Sequence, residues 1–364
     1  MVLREKPPQS LEAYGGKPLA MLPLDITDAT VATVARRLAG SSGTGGVYSI
    51  SLQYWLLQFE MASLGLREIV REFGDWMDNG RPPWAANSAL IPGRLIGINK
   101  CPGVRKVGMG YTWRRMLEKC VLVVTGADAK EACGTEKLCG GLEAGIQGWI
   151  HAVRLLWKQD AQEEDWGFLL VELHNVFNEE KRTAMLWALR HEWPSGARFT
   201  FNCYHHWVTL VIRAGNVTGH FLFSKELVTQ GDPLAMVVYG LGMFPLIREL
   251  QKEYPGVTQP WYVDDSGVSG TLGGIRRNLD DLMVRGPPRS YLPYLTKSIL
   301  VVYPWKVLRA EAVFGGCGIQ IVTGSRYLGD FVASKLAQDH WLGGKVEGWQ
   351  DSVATLAGVV RRHP

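Results

Sequence analysis

The amino-acid sequence predicts an α+β fold, because short apolar runs of strand type alternate with segments whose apolar residues recur at helical spacing. The clearest strand signal is an apolar hairpin centred on Asp264 and Asp265, and the clearest helical signal covers residues 233–254. The chain has 364 residues and is 46% hydrophobic, which is enough to form the cores of two or three subdomains.

The N-terminal part of the chain is predicted to be helical. Residues 25–38 form the first predicted helix, with Thr27 or Asp28 as its N-cap, and a glycine-rich loop follows at 40–46. Apolar residues at helical spacing then predict one long helix over residues 51–76, which ends at the Asn-Gly-Arg-Pro-Pro sequence of residues 79–83.

From residue 89 onward, short glycine-separated apolar runs indicate strands. The first two, at residues 95–98 and 103–110, predict a hairpin. Further predicted strands cover residues 166–173, 199–212, 219–223, 297–302 and 318–328, and further predicted helices cover residues 112–124, 140–157, 178–192, 233–254 and 274–283. Strands and helices that interleave around an antiparallel hairpin are typical of the α+β class.

The composition limits where the protein can be located and which partners and metals it can bind. The net charge of +4 and the pI near 8.7 are compatible with a phosphate-rich partner, but they are far below the charge of a dedicated nucleic-acid-binding tail. No two of the six cysteines have zinc-ligand spacing, so they are interpreted as reduced thiols. Neither a signal peptide nor an apolar segment of membrane-spanning length is evident, so the expected location is intracellular, cytoplasmic or nuclear, without a membrane.

Adjacent acids at the tip of an apolar hairpin require a physical reason, because neighbouring carboxylates repel one another. A divalent metal ion provides that reason, since Mg²⁺ prefers oxygen ligands and often binds one or two carboxylates together with substrate phosphates. Asp264 and Asp265 are therefore candidate metal ligands. The alternative is an ordinary surface turn, in which Asp is common.

Four segments in a fixed order resemble the reverse transcriptases of non-LTR retrotransposons and group II introns. They are Thr229-Gln230-Gly231-Asp232-Pro233-Leu234-Ala235, Tyr262-Val263-Asp264-Asp265, Thr296-Lys297-Ser298 and Tyr327-Leu328-Gly329. In that family these segments open a long helix against template and nucleotide, carry the metal-binding aspartates, place a lysine near the leaving pyrophosphate, and form the primer-grip turn. Taken singly, Lys297 is also explained as a solvated charge.

The resemblance implies a right-hand polymerase architecture, with fingers and a palm whose antiparallel sheet is backed by helices. The implied segments are an N-terminal helical extension at 1–85, fingers at 86–165, a palm at 166–335 and the start of a thumb at 336–364. Only 364 − 328 = 36 residues follow Leu328, so the thumb is expected to be incomplete.

The resemblance also assigns nucleotide-binding residues. Lys100 and Arg105, around the first hairpin, are expected to bind the triphosphate, and Gln230 and Gly231 are expected to contact nucleotide or template. Phe177 corresponds to the aromatic that excludes ribonucleotides by colliding with their 2′-hydroxyl. For Arg114 and Arg115, on the helix after the hairpin, solvated helix surface and phosphate contact are equally good explanations.

The main departure from the family pattern is Glu172. It stands at the end of the predicted strand over 166–173, where the family has a third catalytic aspartate. The extra methylene displaces the carboxylate by about one bond length, and an error of about 1 Å in an active site can cost on the order of 10²-fold in rate. Asp264, Asp265 and Glu172 are nevertheless the expected ligands of two Mg²⁺ ions, with Mn²⁺ as a substitute.

The predicted function is therefore RNA-directed DNA synthesis by two-metal nucleotidyl transfer, with an RNA template, a DNA primer and deoxynucleoside triphosphates as partners. One alternative is a catalytically inactive, retroelement-derived nucleic-acid-binding protein, favoured by Glu172. Another is an RNA-dependent RNA polymerase that shares the palm, against which Phe177 argues. The sequence does not identify a protein partner.

Overall fold

The computed structural model describes residues 19–99, 103–134, 144–160, 163, 165–173, 181–214, 217–226, 228–229, 231–262, 265–289 and 291–362. The helices are α1 (Asp28–Arg36), α2 (Ser49–Leu57), α3 (Glu60–Asn79), α4 (Trp84–Leu90), α5 (Thr112–Cys133), α6 (Gly145–Gln159), α7 (Arg182–Glu192), α8 (Pro194–Tyr204), α9 (Ala235–Glu253), α10 (Leu272–Arg285), α11 (Val307–Phe314) and α12 (Lys335–Arg362). The strands are β1 (Gly93–Asn99), β2 (Val104–Gly110), β3 (Trp166–Val171), β4 (Val208–Ala214), β5 (Val217–Ser224), β6 (Trp261–Tyr262), β7 (Asp265–Thr271), β8 (Ile299–Val301), β9 (Gln320–Val322), β10 (Gly324–Tyr327) and β11 (Asp330–Ala333).

The chain divides into two compact units, and together the elements confirm the predicted α+β class. The first unit comprises residues 1–143, 174–249 and 284–292, and the second comprises 144–173, 250–283 and 293–364. Each unit contains both helices and a sheet. In the described part of the chain, no helix is both long and apolar enough to cross a lipid bilayer.

The first unit contains a four-stranded sheet in the order β2-β1-β4-β5 and a group of helices. The predicted hairpin is present as β1 and β2, and β4 joins it through parallel pairing with β1. Helices α1, α3, α5 and α8 pack together around buried apolar side chains that include Val31, Met77, Val121 and Phe199. Thr27 is the N-cap of α1, as one of the two predictions had it, and its side chain accepts a hydrogen bond from the backbone N–H of Thr30.

Two local predictions for this unit are wrong. The helix expected over residues 51–76 is broken into α2 and α3, because the Ser63 hydroxyl accepts from the Phe59 N–H at 2.8 Å and donates to the Trp55 carbonyl at 2.8 Å. The strand expected to begin near residue 199 is helix α8 as far as Tyr204, and β4 begins only at Val208. Proline at the first position of α8 has the backbone angle that a helix needs.

The second unit is built on a five-stranded sheet in the order β6-β7-β3-β8-β9. The pairs are antiparallel except for β8 with β9, which is parallel. Every side chain of β3 is buried, so this central strand is covered on both faces. Helix α6 contributes Trp157, whose ring lies 5.6 Å from that of Trp166 at the start of β3.

Two features of the second unit lie outside the predicted elements. Helix α12 occupies the segment assigned to the start of a thumb, and α11 lies between β8 and β9. Strands β10 and β11 form a separate hairpin whose two turn residues, Leu328 and Gly329, have φ angles of +48° and +89°. Two consecutive positive φ angles are typical of a tight hairpin turn, so the turn predicted at Tyr327-Leu328-Gly329 is present.

Candidate active site

The hairpin predicted around the paired aspartates is present as β6 and β7. Tyr262 pairs with Asp265 across the hairpin, and the two residues between them lie outside the described residues. Trp261 anchors the hairpin, because its side chain is 1% exposed. Asp264 and the side chain of Asp265 lie outside what the structure describes, so only the backbone position of Asp265, at the start of β7, is fixed.

Strand β3 ends beside the start of β7. Val171, its last residue, pairs with Ser266 of β7 in antiparallel register. Carried one residue further, this register puts the backbone of Glu172 opposite that of Asp265. The two acid-bearing positions are separated by 93 residues in the sequence (265 − 172) and become lateral neighbours at one end of the sheet.

The backbone of Glu172 is held on both sides, while its side chain is exposed. The Glu172 N–H donates to the Ser298 hydroxyl at 3.2 Å, and its carbonyl accepts from the Tyr294 N–H at 2.8 Å. Ser298 is fully buried and its hydroxyl also donates to the Tyr294 carbonyl at 3.1 Å. These bonds fix where the Glu172 side chain begins and leave its carboxylate facing solvent.

Lys297 lies at the same end of the sheet, just before β8. Strand β8 pairs with β3 so that Ile299 is opposite Leu170, which brings the start of β8 beside the end of β3. Lys297 closes a short 3-10 helix, and its exposed ammonium lies 4.7 Å from the centre of the Tyr294 ring. The backbones of Asp265, Glu172 and Lys297 therefore gather at neighbouring ends of three adjacent strands.

The donor chemistry at this end suits a hard cation. Glu172 and Asp265 carry carboxylate oxygens, which Mg²⁺ prefers, and no Lys, Arg or His in the described residues forms an ion pair with Glu172. Among the residues that the structure describes, no group of three or more Cys, His, Asp or Glu side chains is spaced to hold a metal ion. Two members of the predicted set, Asp264 and the side chain of Asp265, lie outside the described residues.

One glycine next to this end of the sheet is required by packing. A Cβ at Gly267 would lie 3.0 Å from Cζ of Phe168 and 3.0 Å from the Tyr327 hydroxyl. The two rings meet edge to face with their centres 5.3 Å apart. The glycine that follows the Asp-Asp-Ser sequence thus lets the aromatic pair pack directly against β7.

The predicted nucleotide-binding residues belong to the first unit and are only partly described. Arg105 is exposed on β2, opposite Ile98 of β1, while Lys100, Phe177 and Gln230 lie outside the described residues. Gly231 has a φ of +105°, and a Cβ there would lie 2.9 Å from the Gly108 carbonyl oxygen. A glycine at position 231 is therefore needed for a close approach of the backbone to β2.

The structure rejects both explanations offered for Arg114. Its side chain is buried, and its guanidinium donates to Glu118 at 2.6 Å and to the Ile91 carbonyl at 2.9 Å, and it also donates to Asp232 and to the Tyr204 hydroxyl. Asp232 in turn accepts from the Leu234 N–H at 2.8 Å at the start of α9. Arg114 thus neither faces solvent nor contacts phosphate, and it ties α5 to the segment that opens α9.

Two carboxylates share the one guanidinium of this network. Burial raises the pKa of Glu118 to about 8, partly offset by the Arg114 charge and reinforced by Asp232. Burial also raises the pKa of the Tyr204 hydroxyl, which donates to Asp232. The four-residue spacing of Arg114 and Glu118 was the one sequence signal for this network, because such residues are neighbours on a helix. Nothing local indicated Tyr204 or Asp232 as partners.

The second arginine of this pair, Arg115, is half-buried. Its guanidinium donates to the Ser41 carbonyl at 2.6 Å and to the Thr112 hydroxyl at 3.2 Å. It therefore holds the glycine-rich loop after α1 against the start of α5, which is a structural role that the sequence did not indicate.

Comparisons with known proteins identify a similar fold but no family. No protein-family model matches the sequence, and no curated protein matches it. Among solved structures, telomerase from Candida albicans in complex with a TWJ fragment of telomeric RNA is 9% identical, with a TM-score of 0.50 over 70% of this chain and 47% of that chain. Apo telomerase from Candida tropicalis is 9% identical, with a TM-score of 0.49 over 67% of this chain and 46% of that chain.

This chain spans about half the length of each of these two telomerase chains. Telomerase is a reverse-transcriptase-related polymerase, so the likeness to the Candida albicans structure supports a reverse-transcriptase-like fold. It does not distinguish the non-LTR and group II intron types, which stay an expectation from the sequence.

Proposed function

We propose that this chain is a reverse-transcriptase-type nucleotidyltransferase that extends a DNA primer on an RNA template. The observation that carries the proposal is the pairing of Val171 with Ser266, because this register turns two distant acidic segments into neighbours. The similarity of fold to a telomerase structure supports the same class of enzyme. The division into an extension (1–85), fingers (86–165), palm (166–335) and start of a thumb (336–364) belongs to this proposal.

In the proposed reaction, the 3′-hydroxyl of the primer loses its proton to water, its oxygen forms a bond to the α-phosphorus of a deoxynucleoside triphosphate, and the bond to pyrophosphate breaks. The carboxylates of Asp264, Asp265 and Glu172 would hold two Mg²⁺ ions, or Mn²⁺ in their place, whose positive charge lowers the energy of the attacking and leaving oxygens. Lys297 donates a proton to the departing pyrophosphate, for which its exposed ammonium is suited.

The proposed substrate contacts come from the first unit. Arg105 and Lys100 bind the triphosphate, since a guanidinium forks onto phosphate oxygens and an ammonium acts as a compact point charge. Phe177 excludes ribonucleotides, and Gln230 and Gly231 contact nucleotide or template. The exposure of Arg105 on β2 supports its part in this assignment.

Primer extension with purified protein, an RNA template, a DNA primer, Mg²⁺ and deoxynucleotides tests the proposal. We expect Asp265→Asn to abolish extension and Glu172→Asp to raise it by up to about 10²-fold, because the shorter side chain returns the carboxylate to its expected distance. Glu347→Asp, an exposed site on α12, is the matched control and should change nothing. Extension by the Asp265→Asn variant at the wild-type rate would refute the assignment.

A second function, nucleic-acid binding without synthesis, is favoured by Glu172 itself. Its extra methylene stands at a site where small displacements of a carboxylate abolish metal-dependent chemistry. This function predicts salt-sensitive binding of a primer–template by wild-type protein and by Glu172→Asp, with no extension by wild type and with extension only by Glu172→Asp. Replacing deoxynucleotides with ribonucleotides in the same assay distinguishes an RNA polymerase, which would incorporate the ribonucleotides.

A further inference from the structure

Helix α12 carries a continuous stripe of exposed apolar side chains, which recur at alternating spacings of four and three residues. The members of this stripe are Leu342, Val346, Trp349, Val353, Leu356 and Val360. Each of them is between 38% and 67% exposed. We call these six residues the α12 stripe. Toward the start of the helix, the stripe stops at Asp339, which forms an ion pair with Lys335 at 2.7 Å.

The spacing of the α12 stripe indicates the kind of partner that fits it. Apolar residues that alternate four and three apart repeat every 3.5 residues or so, which is the narrow seam of a coiled coil rather than the broad face that a helix turns toward a protein core. A helix that lies on a membrane has a wider apolar face and a polar face rich in Lys and Arg. The six positions beside the stripe (343, 345, 350, 352, 357 and 359) contain one charged residue, Lys345. The partner that this seam fits is therefore another α-helix.

Helix α12 needs such a partner for its own stability. Every residue from Leu342 to Arg361 except Gly358 is exposed, so the rest of the second unit gives this stretch little packing. The stretch also contains four glycines, each of which costs a helix about 1 kcal/mol relative to alanine. Because most helical stability in proteins comes from the packing of an apolar face, covering the α12 stripe supplies what this stretch lacks.

A second copy of the same helix, running in the opposite direction, matches the α12 stripe level by level. Pairing Trp349 with Val353 of the second copy aligns the whole stripe, and every level then combines one valine with one leucine or tryptophan. Large and small side chains that alternate across facing positions interdigitate well. A parallel pair would instead set Trp349 against its own copy and valine against valine. The order of residues in the stripe thus favours self-pairing in the antiparallel direction.

The buried area and the charges also fit a pair of identical helices. Six side chains with these exposures offer on the order of 600 Å² per copy, so a pair buries roughly 1,200 Å², which exceeds the ~1,000 Å² expected of a specific interface. The antiparallel direction keeps the two Lys345 ammonium groups apart along the pair. It also lays the aliphatic stem of Lys345 over Val359 of the second copy, a further exposed apolar side chain.

We infer that the α12 stripe joins two copies of this chain as an antiparallel helix pair. Such an interface is isologous, because the same six residues contribute from each copy, and assembly therefore stops at a dimer. The inference goes beyond the polymerase proposal, since it involves neither nucleic acid nor metal.

The first test is the mass of the purified chain in solution, measured by sedimentation equilibrium. We expect wild type to form a dimer of twice 40.4 kDa. Val353→Glu should weaken the dimer by at least about 100-fold, because each copy then brings a carboxylate into the apolar seam. The matched control is Thr355→Glu, which places the same charge at an exposed site on the opposite side of α12 and should dimerise as wild type does.

Two results of this measurement would overturn the inference. One is equal weakening by Val353→Glu and Thr355→Glu, since the stripe would then have no special part in the contact. The other is a wild type that stays monomeric up to on the order of 10⁻⁴ M. Binding of that monomer to phosphatidylserine vesicles would assign the stripe to a lipid surface instead.

Cross-linking gives a second readout, which needs no disruptive variant and reports the direction of the pair. In the antiparallel pair, Gln350 lies beside Gln350 of the second copy, whereas in a parallel pair these two residues lie on opposite sides. A short bismaleimide should therefore join two copies of Gln350→Cys. Asp351→Cys, whose side chain points away from the seam, should not exceed the wild-type background from the native cysteines.

Equal cross-linking of Gln350→Cys and Asp351→Cys would overturn the antiparallel pairing. Asp265→Asn should dimerise as wild type does, because its substitution lies outside α12. Failure of the polymerase proposal and failure of this inference are therefore distinguishable.

Discussion

Asp78 is a buried carboxylate whose titration should control the stability of the first unit. Its side chain lies on α3 and is 0% exposed, and neither of its oxygens has a hydrogen-bond partner among the described residues. Burial, reinforced by the negative charge of Asp75, raises the pKa of Asp78 from 3.8 to about 8. The folded protein therefore holds this group in its neutral form at neutral pH.

The raised pKa fixes the sign of the pH effect. Between pH 3.8 and about 8, the folded state binds the Asp78 proton and the unfolded state does not, so stability falls as the pH rises through this window. Each pH unit costs about 1.4 kcal/mol, and the three units from pH 5 to pH 8 cost on the order of 4 kcal/mol. Asp78→Asn removes the titration while keeping the shape of the side chain.

The measurement is urea unfolding of wild type and Asp78→Asn at pH 5 and pH 8, with hydrogen exchange of the α3 peptide as a local readout. The free energy of unfolding of Asp78→Asn, relative to that of wild type, should increase by on the order of 4 kcal/mol from pH 5 to pH 8. Glu118 titrates in the same range but is present in both proteins, so the difference isolates Asp78. The matched control is Asp351→Asn, at an exposed site on α12. A difference between Asp78→Asn and wild type that does not change with pH would refute the reasoning.

Three further predictions concern the first unit. Arg114→Leu should lower the free energy of unfolding by about 3–5 kcal/mol in urea, because it leaves two buried carboxylates without their cation; a loss below about 1 kcal/mol would contradict this. Gly231→Ala should destabilise the protein by about 1–3 kcal/mol in the same assay, given a φ of +105° and a 2.9 Å contact for the added Cβ, whereas Gly148→Ala, on α6 with open space around it, should not. The buried thiols of Cys120 and Cys203, whose pKa values are raised by burial, should react with iodoacetamide only after unfolding; modification of the native protein at the rate of a free thiol would contradict their burial.

Local periodicity was sufficient to predict several strands in both units. The alternation of apolar residues predicted the β1–β2 hairpin, the strand that became β3, and the hairpin that carries Asp265. These signals depend on side chains two to four residues apart, which the sequence displays directly. Periodicity did not predict the break between α2 and α3. The apolar spacing continues through it, and the break depends on hydrogen bonds from the Ser63 hydroxyl to the backbone a few residues away.

The sequence did not predict that a charged side chain, Arg114, is buried. Arg114 was expected on the helix surface or against phosphate because it follows a basic hairpin, yet it is enclosed by groups from three other segments. One of them, Asp232, is 118 residues away in the sequence. An ion pair across such a distance leaves no periodic trace, and a buried arginine differs from an exposed one only through its partners.

The sequence alone determined the α+β class and the identity of the acidic segments, since these depend on residue type and on local spacing. It also shows that residue 172 is a glutamate where the family pattern has an aspartate. Only the tertiary structure decided that the end of β3 lies opposite the start of β7, because strand register is set by contacts between segments about a hundred residues apart. The same holds for the exposure of Phe221 and Phe223 on β5, which lies at the edge of its sheet.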